Sequence, residues 1–201
     1  MTDTATIHEL VQTLAERDWA AQEGFLDVAR VAALRAEATA LYTSGDFRAA
    51  GIGHGALRRS EVRGDELAWI TKEQAPQAWA LSQQELETLR SAVNAHTYLG
   101  LHEFEVHYAI YPPGAFYVRH LDRFREDNRR VISLVLYLNE DWGTEDGGEL
   151  RLYPSAATDS GVTLAPRGGT LVCFLSERVP HEVLPARRMR YSLAGWFRRR
   201  D

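Results

Sequence analysis

Chemistry in this sequence concentrates at His120, Asp122, His181 and Arg190. In extended backbone, residues two apart point to the same side. His120-Leu121-Asp122 therefore presents an imidazole and a carboxylate together, with Leu121 expected to turn inward. Two histidines and one carboxylate on one face of an octahedron leave three positions open, the arrangement with which non-haem iron(II) oxygenases admit a chelating keto acid and dioxygen. His181, which follows Pro180 at the start of a β-like run, is the nominated third ligand, returning on a neighbouring strand. Taken alone, His-x-Asp arises readily by chance and usually makes a surface pair or a turn, and His181 also reads as a structural histidine at a strand end. Arg190 changes the balance. It stands nine residues after His181 at the head of the last strand, where a guanidinium fork can hold a carboxylate in bidentate fashion. Tyr137, within an apolar run, has the right type to donate a second hydrogen bond to that carboxylate, with core packing as the alternative.

These residues need a frame, and the periodicity supplies one. Thr6 to Glu9 has capping-box spacing, and Ile7, Leu10, Val11 and Leu14 recur at helical intervals, predicting a helix over about 6–17. A second helix is predicted after Asp27, with Val31, Leu34, Ala38, Leu41 and Tyr42 on one face and Gly45 as its stop. A third is expected to begin at Ser82, with Glu85 three residues on, to carry Leu86, Leu89 and Val93, and to end by Gly100. From about Glu103 the pattern changes to short β-like runs: FEVHYAIY, AFYVRHLD, VISLVLYL, ELRLY, GVTL, GTLVCF, HEVL and YSLAGWF. Val131 to Leu138 is apolar nearly throughout, as in a strand covered on both faces. Supporting helices followed by a double-sheet β-fold give an α+β chain, expected to form a single domain over 1–201: about 1–100 helical support, about 101–201 the β core.

Composition narrows the function classes. Cys173 is the single cysteine, so an internal disulfide and a thiolate metal cluster are excluded and any metal must use histidine and carboxylate. The formal net charge of −5 argues against broad nucleic-acid binding, with Arg198, Arg199 and Arg200 read as a solvated end. No long apolar run suggests a signal or a membrane span, so a cytoplasmic location is expected. Gly147-Gly148 and Gly168-Gly169 lead into β-like runs rather than helices, and so read as turn glycines rather than phosphate loops. His8, His54, His96, His102 and His107 are read as structural or surface residues.

YPPGAFYVRHLD, LYLNEDW, GGELRLYP and PHEVLPARRMRYSLAGW, in that order, resemble the prolyl hydroxylases related to the hypoxia-inducible-factor enzymes, particularly their bacterial branch; RGDELAWI at 63–70 extends the likeness toward the N-terminus. The resemblance implies a double-stranded β-helix (jelly-roll, cupin-like) core. It also implies Fe(II), 2-oxoglutarate and O2 as cofactor and co-substrates, with ascorbate as a possible reductant. By resemblance His120, Asp122 and His181 match the iron ligands, and Tyr137 and Arg190 match residues binding the distal carboxylate of 2-oxoglutarate. Tyr111 matches a tyrosine lining the site, and Leu150, Val183 and Trp196 match pocket walls. Two departures stand out: Tyr111 to His120 is one residue shorter than in the animal enzymes, and Ala194 replaces their threonine near the co-substrate. The animal enzymes' zinc-binding module and regulatory regions are also missing from this sequence.

The substrate that follows from the resemblance is a prolyl residue in an intracellular protein, with elongation factor Tu the first candidate and a monomer or weak dimer expected. Free proline or another small molecule is the enzymatic alternative, and a non-catalytic oxygen- or 2-oxoglutarate-sensing module the alternative of another class. Gly53 to Gly64, with Arg58, Arg59 and Arg63, is expected to be a lid, or otherwise an exposed turn; Asp65 and Arg130 are expected to pair and hold it. Arg123, Arg125, Arg129 and Arg130 either guide an acidic partner or form a solvated loop.

Overall fold

The computed structural model describes residues 4–51, 61–71, 76–122, 129–154 and 160–200. The lid's residues 53–60, with His54, Arg58 and Arg59, and the basic residues Arg123 and Arg125 lie outside them.

The expected helices form. Helix α1 (Thr4–Arg17) buries Ile7, Leu10, Val11 and Leu14, the predicted stripe. Helix α2 (Val28–Thr43) starts at Asp27, whose side chain accepts a hydrogen bond from the Arg30 amide. Gly45, just past its end, takes a left-handed conformation with φ of 80°. The third helix departs from expectation. Helix α3 spans Gln77–Thr97, starting before Ser82. Ser82 is buried and donates its hydroxyl back to the Ala78 carbonyl, while Glu85 is buried against Arg30. The first amides of α3, at Ala78 and Trp79, are instead capped by the Glu37 carboxylate of α2. That long-range cap is invisible to a local sequence rule.

The strands make two sheets among the described residues. The larger has the order β1-β9-β6-β11-β4-β3-β2, built from β1 (Trp19–Gln22), β2 (Arg48–Ala49), β3 (Glu66–Ile70), β4 (Leu101–Tyr111), β6 (Arg130–Tyr137), β9 (Leu171–Leu175) and β11 (Arg190–Arg199). The smaller, ordered β5-β10-β7-β8, contains β5 (Tyr117–His120), β7 (Leu150–Leu152), β8 (Val162–Leu164) and β10 (His181–Val183). Every pairing is antiparallel.

Alternation divides the core. On β4, Val106, Tyr108 and Ile110 join the helices α1 to α3 in one apolar cluster, while Ala109 and Tyr111 face the other way into a cluster shared with Tyr137, Leu150, Val172, Phe174 and Val183. Strand β6 lies between β9 and β11 and contributes to both clusters, as its nearly continuous apolar sequence requires. The helices therefore brace one face of the larger sheet, and the smaller sheet covers the other. Three strands, β1, β2 and β3, come from the N-terminal hundred residues read above as mainly helical support.

Candidate metal and co-substrate site

His120 ends β5, and His181 opens β10 directly opposite it in the antiparallel register. Their rings lie 4.2 Å apart, centroid to centroid. Asp122 is just beyond the end of β5, and the extended alternation still brings its carboxylate to the side of the two imidazoles. One ligand atom from each of His120, Asp122 and His181 lies within 4.8 Å of the others, the spacing a single cation could bridge. Leu121 does not turn inward as expected. It is 44% exposed, because the chain has left the sheet there and both its neighbours take the inner side.

Hydrogen bonds around the triad select its donor atoms. His120 Nδ1 lies 2.8 Å from the Val118 carbonyl, and His181 Nδ1 lies 3.2 Å from the Val179 carbonyl. A carbonyl can only accept, so each Nδ1 carries the hydrogen and each Nε2 keeps a lone pair for a metal. The Nε2 of His120 is buried without a hydrogen-bond partner. Asp122 Oδ2 accepts from Ser133 Oγ at 2.7 Å and from Trp196 Nε1 at 3.0 Å. Its Oδ1 faces His120 Nε2 at 3.4 Å, leaving that oxygen as the ligand atom. Ser133 is itself held by Ser176, 2.9 Å away. Ring packing sets the imidazole planes: His120 stacks on Tyr117 at 3.5 Å, and His181 packs on Phe174 at 4.5 Å.

The electrostatics suit a cation. Burial pushes the His181 imidazole down to about 4 against the pull of Asp122, so it stays neutral and able to coordinate. Burial would raise the Asp122 carboxyl, yet the two imidazoles and the Ser133 hydroxyl outweigh it and hold the group well below the usual carboxylate range.

A second constellation stands on the same side of β11. Arg190 is 1% exposed, and its Nε donates to the Gly148 carbonyl at 2.8 Å. Its guanidinium carbon sits 4.8 Å from the Tyr111 ring centroid and 5.0 Å from that of Tyr137. The Tyr137 hydroxyl is buried without a hydrogen-bond partner, and burial pushes the phenol up to about 12 although Arg190 opposes that shift. Gly148 makes the cradle possible: its φ is 68°, and a Cβ there would come within 2.9 Å of Arg190 Cδ. Leu150 and Val183 pair across β7 and β10 and form an apolar wall. Tyr111, Tyr137, Leu150, Val183 and Arg190 therefore surround one region, whereas Trp196, expected as a pocket wall, donates a hydrogen bond to Asp122. Sequence reasoning missed Ser133, Tyr117, Phe174 and Gly148; only the glycine pair carried a signal, and it was read as a turn.

Asp65 and Arg130 do not pair. Arg63 grips Asp65 through Nε at 2.7 Å and a terminal nitrogen at 2.6 Å, a local fork that satisfies a carboxylate only 3% exposed. Arg130 reaches Glu105 at 2.7 Å and lies 3.6 Å over the Trp196 ring. The end of the expected lid is anchored to β5, since Arg63 bridges to Tyr117 and the Gly64 amide donates to the Phe116 carbonyl at 2.9 Å.

Residues 106–198 match the family model of the 2OG-Fe(II) oxygenase superfamily. The fold superimposes on the crystal structure of a Pseudomonas putida prolyl-4-hydroxylase with a TM-score of 0.88 and 45% identity, covering 97% of this chain and 100% of that one. The chain belongs to the prolyl hydroxylases of the 2OG-Fe(II) oxygenases. A Trichoplax adhaerens prolyl hydroxylase, solved in complex with a hypoxia-inducible-factor oxygen degradation domain peptide fragment, is 27% identical with a TM-score of 0.86, covering 98% of this chain and 94% of that one. Human Egl nine homolog 1 is 32% identical over 145 residues, 68% of this chain but 33% of its own length. The chain thus spans about a third or less of the first curated relatives it matches. The paired sheets are the double-stranded β-helix of this family.

This family uses Fe(II), 2-oxoglutarate and O2. The site fits them on its own terms: a triad of two imidazoles and a carboxylate, with an unpartnered buried His120 Nε2, suits Fe(II), and an unpartnered buried phenol beside a guanidinium suits a carboxylate. Among the described residues no helix is long and apolar enough to cross a membrane.

Proposed function

We propose that this chain, as a single domain, hydroxylates a prolyl residue of an intracellular protein, with elongation factor Tu as the first substrate to test. The observation that carries the reading is the convergence of His120, Asp122 and His181 beside the buried Arg190 clamp. Iron held by the triad, with 2-oxoglutarate and O2, supplies the oxidising power to replace a carbon–hydrogen bond by carbon–hydroxyl, with succinate and carbon dioxide as co-products.

The protein's own residues orient and enclose. His120 and His181 would hold the metal through Nε2 and Asp122 through Oδ1, with the imidazoles pinned by backbone carbonyls and the carboxylate by Ser133 and Trp196. Arg190 and the Tyr137 hydroxyl take the distal carboxylate, fixing the co-substrate's direction toward the triad. Tyr111, Leu150 and Val183 exclude water from its methylene chain. A protein substrate agrees with the peptide fragment bound to the Trichoplax adhaerens relative.

The test incubates the chain with purified elongation factor Tu, Fe(II) and 2-oxoglutarate. A gain of one oxygen atom on a proline-containing peptide, with matching succinate, is expected from wild type and not from His181→Ala. Succinate without protein modification would remove this substrate; identical maps from the two forms would remove the reaction.

A further inference from the structure

The inward-facing side chains of β11 step from Arg190 through Ser192 and Ala194 to Trp196, that is, from the guanidinium to the residue that hydrogen-bonds Asp122. Under the function proposed above, a keto diacid held by Arg190 at one end and chelating the triad's metal at the other must pass the Ala194 position. Ala194 pairs in register with Val135 of β6 on one side and His107 of β4 on the other. Neither alanine nor valine has a side-chain polar atom, so His107 alone of these three can make a polar contact there.

His107 is unusual for a residue read from sequence as structural. It is 4% exposed, and its Nδ1 is buried without a hydrogen-bond partner. Its ring is not loose: it stacks on Trp196 at 5.6 Å with planes 28° apart and packs against Trp69 at 4.8 Å. It shares the inner face of β4 with Ala109 and Tyr111, and feels the charges of Asp65, Arg63, Arg130 and Asp122. Burial pushes it down to about 4, so the ring is a neutral imidazole offering one donor and one acceptor. Buried polar groups without partners are rare and call for a ligand or a function.

We propose that His107 is a co-substrate-binding residue that hydrogen-bonds an oxygen of the metal-chelating keto-carboxylate end of 2-oxoglutarate, supplying the polar contact that Ala194 cannot. Arg190 and Tyr137 read the far carboxylate; His107 reads the near end. The ion pair of Arg63 and Asp65 remains outside this contact, since Asp65 is already gripped by two guanidinium nitrogens.

The test uses the full chain loaded with redox-inert Zn(II), titrated with 2-oxoglutarate by calorimetry. His107→Leu should weaken 2-oxoglutarate binding about tenfold or more, the loss expected for a hydrogen bond to a charged group. Zn(II) affinity should not change. His107→Gln, which keeps a donor, and the double variant His107→Leu with Ala194→Thr, which restores a hydroxyl from the paired strand, should each recover most of the loss. A merely structural histidine would lower thermal stability without this ligand-selective pattern. Equal 2-oxoglutarate affinity in wild type and His107→Leu overturns the proposal. Where His107→Leu does not fold, ring-nitrogen NMR of His107 in wild type decides: a resonance unmoved by 2-oxoglutarate overturns it too. Failure of wild type itself to bind 2-oxoglutarate would instead strike the function proposed above.

Discussion

The indole of Trp196 and the carboxylate of Asp122, 74 residues apart in sequence, are joined by a 3.0 Å hydrogen bond. Ser133 donates to the same oxygen at 2.7 Å, so Oδ2 is occupied and Oδ1 is turned toward the His120 imidazole. Such outer contacts hold a ligand's orientation and basicity. Ser133→Ala and Trp196→Phe should each weaken metal affinity by about tenfold or more, measured by competition with a chelator. Unchanged affinity in both would show that the triad needs no such support.

Arg190→Lys keeps the charge but loses the planar fork and the bond to the Gly148 carbonyl. The Michaelis constant for 2-oxoglutarate should rise about tenfold or more while metal affinity holds. Tyr137→Phe should raise it less, since it removes one neutral donor. A metal-binding defect in either variant would contradict the separation of the two constellations.

Gly148→Ala tests the cradle from the backbone side. The new Cβ meets Arg190 Cδ at 2.9 Å and Ala186 Cβ at 3.2 Å, at a φ of 68° that disfavours any side chain. Weaker 2-oxoglutarate binding with the triad's metal affinity preserved is expected in calorimetry. Wild-type binding by this variant would mean that the clamp shifts freely.

Glu37→Ala removes a carboxylate that caps the Ala78 amide at 2.7 Å and accepts from the Tyr108 hydroxyl at 2.6 Å. The chain should lose about 2 kcal/mol of stability in urea unfolding. Its 2-oxoglutarate affinity should be retained, because Tyr108 faces the helices rather than the site.

Acid should destabilise the metal-free protein. Burial pushes His107 and His181 to about 4 from an ordinary value near 6.5, so between those values the unfolded chain binds protons that the folded chain refuses. The histidine contribution is therefore fully present above about 6.5 and is lost as pH drops toward 4, below which the depressed carboxyl of Asp122 continues the loss. Urea midpoints measured across this range check the sign; a midpoint that rose on acidification would contradict the burial of both rings.

The sequence could reveal the triad because two-residue alternation is a local rule, and it held for His120 and Asp122 even where the strand itself stops. The place of Arg190 was equally legible, since it heads its strand as expected. What escaped depends on who lies across from whom. Pairing of Ser133 with Trp196 brings two outer donors to Asp122, and no spacing in either segment announces it. Glu37 caps a helix 41 residues away, whereas a local rule sees only the capping-box spacing at Ser82. The resemblance suggests a pair of Asp65 with Arg130, yet Arg63, two residues from Asp65, wins through proximity and a fork geometry. His107 does not stand out in the sequence because burial, unlike residue type, cannot be read from one histidine on a mixed strand.

Strand β11 carries Arg190 near one end and Trp196 six positions along, with both edges paired to β4 and β6. The guanidinium and the metal's outer support are thus mounted on one ruler without a joint. Diacids should accordingly be sorted by length: a keto acid one carbon shorter or longer than 2-oxoglutarate meets a gap that cannot adjust to it.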